Sequence, residues 1–230
     1  MIRSMKGAAL FIAIGLLLAA CHTAAPVRPA PAPVEASGYR VQAGDTLYSI
    51  CFKRNLDYRQ VARWNGIGPD FRIYVGQTLR LTPPPAGSVS DKATSESRQA
   101  VAEPPAGAPP HWQWPAEGPV LGSVAQPTGG VGLKIGGALQ SEIRAAAAGR
   151  VVYTGSGLRA YGLLVIVKHD DTWLSAYGYN HDIAVHEGDP VQEGQVIAHM
   201  GEGPGGTPML YFEIRSQGRP VDPVKLLPRR

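Results

Sequence analysis

The residues best suited to chemistry in this sequence are histidines and carboxylates in its last third. His181, His186 and His199 carry imidazoles, and Asp182 and Asp189 could add oxygen ligands. Neutral imidazoles together with a carboxylate are the usual ligands of a hydrolytic zinc ion. None of these residues has the compact spacing of such a site, and histidines in loops are more often surface residues. We therefore predict no metal site among them and keep a relocated site as the alternative.

Cys21 is a second candidate for chemistry because of the residues that precede it. Arg3 and Lys6 are followed by an apolar run from Ala8 to Leu18 and then by small residues, which are the zones of an export signal. The string Leu18-Ala19-Ala20-Cys21 resembles a bacterial lipobox, which implies removal of residues 1–20 and lipidation of Cys21. An ordinary secretory signal or a weak membrane anchor is the alternative. Each of these readings places the mature protein outside the cytoplasm.

Two proline-rich segments divide the mature chain. Residues 21–37 and 83–111 are rich in Pro and Ala and can bury little apolar surface, so we predict a tether and a disordered linker. They leave two folded units, residues 38–82 and 112–230. Positive charge is concentrated in the first unit, which indicates either attraction to an anionic polymer or a solvated face. No basic block suggests nucleic-acid binding.

The first unit has the pattern strand, helix, helix, strand. Tyr39-Arg40-Val41 alternates as a strand does, and Asp45 or Thr46 can cap a helix that starts at Leu47. A connection over residues 55–58 leads to a second short helix that ends at Asn65-Gly66. A closing strand is predicted over residues 77–81.

Three landmarks in this unit are Val41-Gln42-Ala43-Gly44-Asp45-Thr46-Leu47, Asn65, and Val75-Gly76-Gln77-Thr78-Leu79. With the order of elements, they resemble a LysM module over its whole length. The resemblance implies that a groove between two loops binds peptidoglycan glycan strands, with backbone amides matching the acetamido groups. The same residues could instead serve only as turns and helix caps. The implied groove residues are Gly44, Asp45, Thr46, Leu47, Ile67, Gly68, Asp70 and Ile73.

The second unit consists of short strand patterns separated by glycine turns, with no long helical period. The strongest patterns cover residues 149–153, 163–169, 172–177, 195–199 and 210–215. We predict a mainly antiparallel β domain with two packed sheets. With the LysM-like unit, the fold class of the chain is α+β.

Several strings in the second unit are specific: Ala147-Ala148-Gly149-Arg150-Val151-Val152, Tyr161-Gly162, Val191-Gln192-Glu193-Gly194-Gln195-Val196-Ile197, Phe212-Glu213-Ile214-Arg215 and Pro220-Val221-Asp222-Pro223. Together they resemble the LytM-type, lysostaphin-like zinc peptidases over nearly the full unit. His169 matches a position of that family outside the metal site, which implies a structural role.

The metal ligands of that family are replaced in this sequence. They come from stretches of the form His-x-Gly-(Ile or Leu)-Asp, Tyr-x-His and His-x-His-Phe-Glu, which correspond to residues 130–134, 177–179 and 209–213. Lys134 stands in place of the ligating carboxylate, and its ammonium would repel a divalent cation. The resemblance therefore implies a degenerate, non-enzymatic domain that has no catalytic residue, metal or cofactor. The groove of this degenerate site would be lined by Gly130, Lys134, Arg159, Tyr161, Tyr179, Met209 and Tyr211.

The order of lipobox, LysM module, linker and degenerate LytM domain resembles the NlpD-like envelope lipoproteins, which are murein hydrolase activators. This implies a protein held on the outer membrane and facing the periplasm, whose altered groove binds and activates an N-acetylmuramoyl-L-alanine amidase during cell separation. Aromatic and Met side chains in a groove suit a protein partner. The alternatives are a zinc-dependent peptidoglycan endopeptidase, a purely structural tether between membrane and wall, and simple filling of an unused pocket.

Overall fold

The computed structural model describes residues 38–84, 109–125 and 131–230. The predicted signal segment, Cys21, the tether, most of the linker and Gly130 lie outside the described residues. No helix in these described ranges is both long and apolar enough to span a membrane.

The first unit has the predicted order of elements: β1 (Tyr39–Arg40), α1 (Leu47–Arg54), α2 (Tyr58–Asn65) and β2 (Thr78–Leu79), with β1 antiparallel to β2. Thr46 begins α1 through a capping box with Ser49, which satisfies otherwise unpaired amides of the first turn. Gly66 ends α2 in the left-handed conformation that glycine adopts without strain. Helix α2 begins at Tyr58, a residue predicted to lie in the connection. Cys51 is a free, buried thiol, and burial raises its pKa to about 12.

The second unit is built from short antiparallel strands, as predicted. They are β3 (Val120–Ala125), β4 (Val131–Gly136), β5 (Glu142–Arg144), β6 (Gly149–Gly155), β7 (Leu163–Lys168), β8 (Trp173–Ile183), β9 (Pro190–Val191), β10 (Val196–Met200), β11 (Met209–Ser216) and β12 (Arg219–Val221). The main path of the sheet is β3-β4-β11-β8-β7-β6-β9, with β12 beside β11.

The prediction of two packed sheets was wrong, because β8 connects both sets of strands into one sheet. Its first part pairs with β7 and β11, and its last residues pair with β10, which in turn pairs with β5. At Tyr179 the backbone has φ of 61°, and the pairing registers shift close to this point. Such irregularities bend a strand, so β8 carries the sheet out of its first layer. One core, including Leu133, Ile197 and Phe212, is shared by the sheet and this branch.

The opposite face of the sheet is covered by the LysM-like unit. Residues of β7 alternate between the two cores: Val165 and Val167 join the first, whereas Leu164 and Ile166 join a second core together with helices α1 and α2. The ring of Phe52 in α1 packs edge-on against Tyr161 at 5.4 Å. The two folded units inferred from the sequence are therefore packed against each other.

His169 links three segments of the second unit through hydrogen bonds. Its Nδ1 lies 2.8 Å from the carbonyl oxygen of Ala148, and its Nε2 lies 2.7 Å from Oγ of Ser175. Because a carbonyl oxygen only accepts, Nδ1 must donate, and the neutral ring then accepts from Ser175. Burial lowers the pKa of His169 to about 4.

This environment predicts a specific loss of stability in acid. The unfolded chain protonates His169 near pH 6.5, whereas the folded chain does so only near pH 4, so the stabilisation is complete above pH 6.5 and is lost as the pH falls to 4. The free energy of unfolding should be measured in urea for the wild type and for His169→Gln, at pH 7 and at pH 4. Between these two pH values the wild type should lose up to about 3 kcal/mol more than the variant. Identical pH profiles for the two proteins would contradict this assignment.

Candidate functional site

The three altered stretches meet at one place on the sheet. In the strand register, Tyr211 of β11 lies between Lys134 of β4 and Gly178 of β8. Met209 lies two residues before Tyr211 and so faces the same side of the strand. Tyr179 follows Gly178 directly. We term this cluster of Lys134, Tyr179, Met209 and Tyr211 the degenerate site.

The side chain of Tyr211 fills this site. Its ring is fully buried and packs against Tyr161 at 5.3 Å and Tyr179 at 6.1 Å. It also lies directly over Gly132, where an added Cβ would be 2.3 and 2.4 Å from two ring carbons and 2.5 Å from the hydroxyl oxygen. The hydroxyl donates to the carboxylate of Glu213, and burial and that carboxylate raise the pKa of Tyr211. The phenol therefore stays protonated.

The residues present do not fit a zinc ion. The positions that would supply imidazoles and a carboxylate hold a thioether, phenols and an ammonium, and the Tyr211 phenol is engaged by Glu213. The relocated alternative gains no support either: His199 Nδ1 pairs with Asp182 Oδ1 at 2.6 Å, and His181 contacts Gln140. Within residues 38–84, 109–125 and 131–230, no group of three or more potential ligands is close enough to hold a metal ion.

The predicted groove residues differ in their accessibility. Arg159 is exposed, and Lys134 and Tyr179 are half-buried, so these side chains can meet a partner. Tyr161, Met209 and Tyr211 are at most 5% exposed. The expectation that these three line an open surface is corrected, because their apolar side chains pack into the domain. These three side chains form the buried layer beneath the accessible Lys134, Arg159 and Tyr179.

A buried ion pair beneath the degenerate site was not anticipated from the sequence. Arg215 Nε donates to Glu213 Oε1 at 2.5 Å, and both side chains are at most 1% exposed. Arg215 Nη1 donates to the carbonyl oxygen of Phe52 at 2.7 Å, and the guanidinium stacks 3.5 Å from the centre of that ring. One feature of the sequence could have indicated this pair. Tyr211, Glu213 and Arg215 alternate along β11, which places all three side chains on one face of the strand.

In the LysM-like unit, the first predicted groove loop is well defined. Gly44 is exposed with φ of 81°, and the Asp45 carboxylate accepts hydrogen bonds from the Tyr39 hydroxyl at 2.6 Å and the Gln42 amide at 2.8 Å. Thr46 caps α1. Leu47 is only 1% exposed, so its predicted place in the groove lining is corrected to a place in the core.

The second predicted groove loop is held by aromatic packing. Gly68 and Asp70 are exposed, while Ile67 and Ile73 are half-buried. Between them, the ring of Phe71 packs against Tyr48 at 5.8 Å and Tyr58 at 4.9 Å, which anchors the loop to both helices.

Comparison with known proteins gives consistent matches to both units. The LysM domain family matches residues 39–82, and Peptidase family M23 matches residues 128–223. A Pseudomonas aeruginosa protein named lipoprotein NlpD/LppB homolog is 40% identical, over 93% of this chain and 89% of that protein. The uncharacterized lipoprotein YgeR of Escherichia coli K12 is 35% identical, over 96% of this chain and 92% of that protein.

A third relative carries a functional name. The murein hydrolase activator NlpD of Escherichia coli K12 is 31% identical, over 84% of this chain and 68% of that protein. The alignments with these three relatives cover 84% to 96% of this chain. The chain therefore belongs to the NlpD/LppB lipoprotein family.

Proposed function

We propose that this chain is a non-enzymatic activator of an N-acetylmuramoyl-L-alanine amidase and that it acts on the cell wall during cell separation. One observation supports the proposal: residues 128–223 match the M23 family, and Tyr211, which corresponds by resemblance to a metal-ligand position, fills the degenerate site. A relative of the same family is named a murein hydrolase activator. A domain of this fold whose corresponding ligand positions carry a lysine, a methionine and tyrosines is suited to recognition rather than hydrolysis.

The proposed amidase contact is formed by Lys134, Arg159 and Tyr179. Tyr179 has a positive φ, and its hydroxyl donates to the carbonyl oxygen of Ala160 at 3.2 Å. This bond joins Tyr179 to the turn that carries Arg159. The surface combines an aromatic ring with two cations, and Tyr and Arg are common centres of protein interfaces. The buried rings of Tyr161 and Tyr211 hold it in shape.

The other parts of the chain would restrict where activation occurs. The LysM unit is proposed to bind peptidoglycan glycan strands through Gly44, Asp45, Thr46, Ile67, Gly68, Asp70 and Ile73. A lipid on Cys21 would hold the protein on the outer membrane, facing the periplasm. Two attachments raise the effective concentration of a weakly binding surface near its partner.

A dye-release assay on labelled peptidoglycan tests this function. The soluble mature chain carrying Cys21→Ser should release no dye alone. It should increase dye release by a cognate amidase at least about tenfold. The increase should be the same when the amidase is pre-loaded with zinc and free metal is then removed. Metal-dependent release by the chain alone would indicate an endopeptidase instead. Binding to peptidoglycan with no effect on amidases would indicate a structural tether.

Charge reversal tests the proposed contact surface. Lys134→Glu and Arg159→Glu should each reduce activation at least about tenfold, because like charges across an interface are costly. Lys225→Glu, at an exposed position in a separate short turn, is the matched control and should retain activation. Equal activation by all three variants would place the amidase contact elsewhere.

A further inference from the structure

A cleft lies between the LysM unit and the loop that follows strand β6. Its volume is about 300 Å³. One wall is formed by residues 42–45 together with Lys53 and Arg54 at the end of α1, and the opposite wall is formed by residues 153–158 of the second unit. We term it the shared cleft. Residues 153–158 have no part in the degenerate site or in the predicted LysM groove.

The charges that line the shared cleft favour an anionic ligand. Lys53 and Arg54 are exposed, and no carboxylate of the described residues lies within ion-pairing distance of either. The Arg54 guanidinium is held 4.4 Å from the centre of the Tyr39 ring. The carboxylate in the lining, that of Asp45, is already satisfied by Tyr39 and Gln42. Two cations are thus available at the cleft.

The opposite wall leaves room for a ligand to approach the backbone. It contains Gly155-Ser156-Gly157, whose side chains are small, and the Ser156 hydroxyl is exposed. The Gly157 amide donates to the Tyr153 hydroxyl at 3.1 Å, which fixes the shape of the loop. Outside the cleft lining, the Glu187 carboxylate accepts from the Thr154 amide at 3.0 Å and braces the same loop. Hydroxyl and amide groups on a braced loop suit hydrogen bonding to a sugar.

We propose that the shared cleft binds acetamido-oligosaccharides that carry carboxylate groups. Gly44 and Asp45 would contact the sugar, and Lys53 and Arg54 would bind the carboxylate. The loop around Ser156 would contact the other side of the ligand. This rests on the proposed glycan binding by the LysM unit and extends that site onto the second unit. In peptidoglycan, such carboxylates belong either to the lactyl groups of strands without peptides or to the stem peptides.

Calorimetric titration of the mature Cys21→Ser chain tests the proposal with three probes. The first probe is chitohexaose, which is uncharged. The second is glycan strands stripped of peptides, and the third is glycan strands that retain their stem peptides. At low salt, the wild type should bind at least one carboxylated probe about tenfold more tightly than chitohexaose, and the preferred probe identifies the source of the carboxylate. The preference should decrease at high salt, because exposed charges are screened.

Variants on both walls test whether the cleft is shared. The double variant Lys53→Gln/Arg54→Gln should remove the preference while chitohexaose affinity stays within about twofold. The single variant Ser156→Glu should also remove the preference, because its added carboxylate repels an anionic ligand from the opposite wall. Arg63→Gln/Lys225→Gln removes two exposed cations elsewhere and should keep the preference. Thermal unfolding midpoints of all variants should match the wild type, which excludes misfolding as the cause.

Each other outcome has a defined meaning. A wild type without any preference, or equal weakening of all probes by the double variant, overturns the carboxylate site while leaving glycan binding by the LysM unit intact. Loss of preference in the double variant but not in Ser156→Glu overturns the shared site and assigns the effect to the LysM unit alone. A wild type that binds no probe overturns both the proposed glycan binding and this inference.

Discussion

Arg215→Ala is expected to lower the free energy of unfolding by about 3–5 kcal/mol. The substitution leaves the fully buried carboxylate of Glu213 without its ionic partner and removes the donor to the Phe52 carbonyl oxygen. An unpaired charge in such a position is much more costly than the pair is favourable. Urea unfolding followed by circular dichroism measures the change.

Two controls separate this effect from the loss of any arginine. Arg144→Ala breaks an ion pair with Glu142 in which both side chains are about half exposed, so it should cost less than about 1 kcal/mol. The double variant Glu213→Gln/Arg215→Met removes both buried charges together and should be more stable than Arg215→Ala. If Arg215→Ala and Arg144→Ala had equal effects, the buried pair would have no special role.

Gly132→Ala is expected to destabilise the second unit by about 3 kcal/mol, although it adds only one methyl group. Gly132 lies in strand β4, and a Cβ there would be 2.3 Å from the Tyr211 ring, well inside contact distance. The ring cannot move freely, because Tyr161 and Tyr179 pack against it and Glu213 holds its hydroxyl. The loss should appear as a lower urea midpoint with an unchanged slope.

A double-mutant cycle tests the cause of this destabilisation. If the clash with Tyr211 is responsible, Tyr211→Ala should cost less in the Gly132→Ala background than in the wild type, with a coupling energy of about 2 kcal/mol. Gly68→Ala is the matched control, since the nearest atom to its added Cβ is Asp70 Oδ1 at 3.5 Å, an ordinary contact. Additive effects of Gly132→Ala and Tyr211→Ala would contradict the proposed filling of the site.

Local patterns were sufficient to predict the four elements of the LysM unit and five of the ten strands that the structure describes in the second unit. The order of strands and helices in the LysM unit follows from Thr46 as a cap and Gly66 as a stop, and both act within a few residues. Strand positions in the second unit follow from alternation between glycine turns. The continuity of the sheet through β8 could not be predicted, because it depends on a positive φ at Tyr179, a residue type in which that conformation is uncommon.

The sequence by itself determined which residues stand at the positions that correspond, by resemblance, to the metal ligands of LytM-type peptidases, because residue identity needs no coordinates. Only the tertiary structure decided what those residues do: Tyr211 fills the site, while Lys134 and Tyr179 remain accessible at its surface. The contact of Arg215 with Phe52 and the shared cleft likewise join residues far apart in the chain. Such contacts depend on how distant segments pack, and no local pattern records that packing.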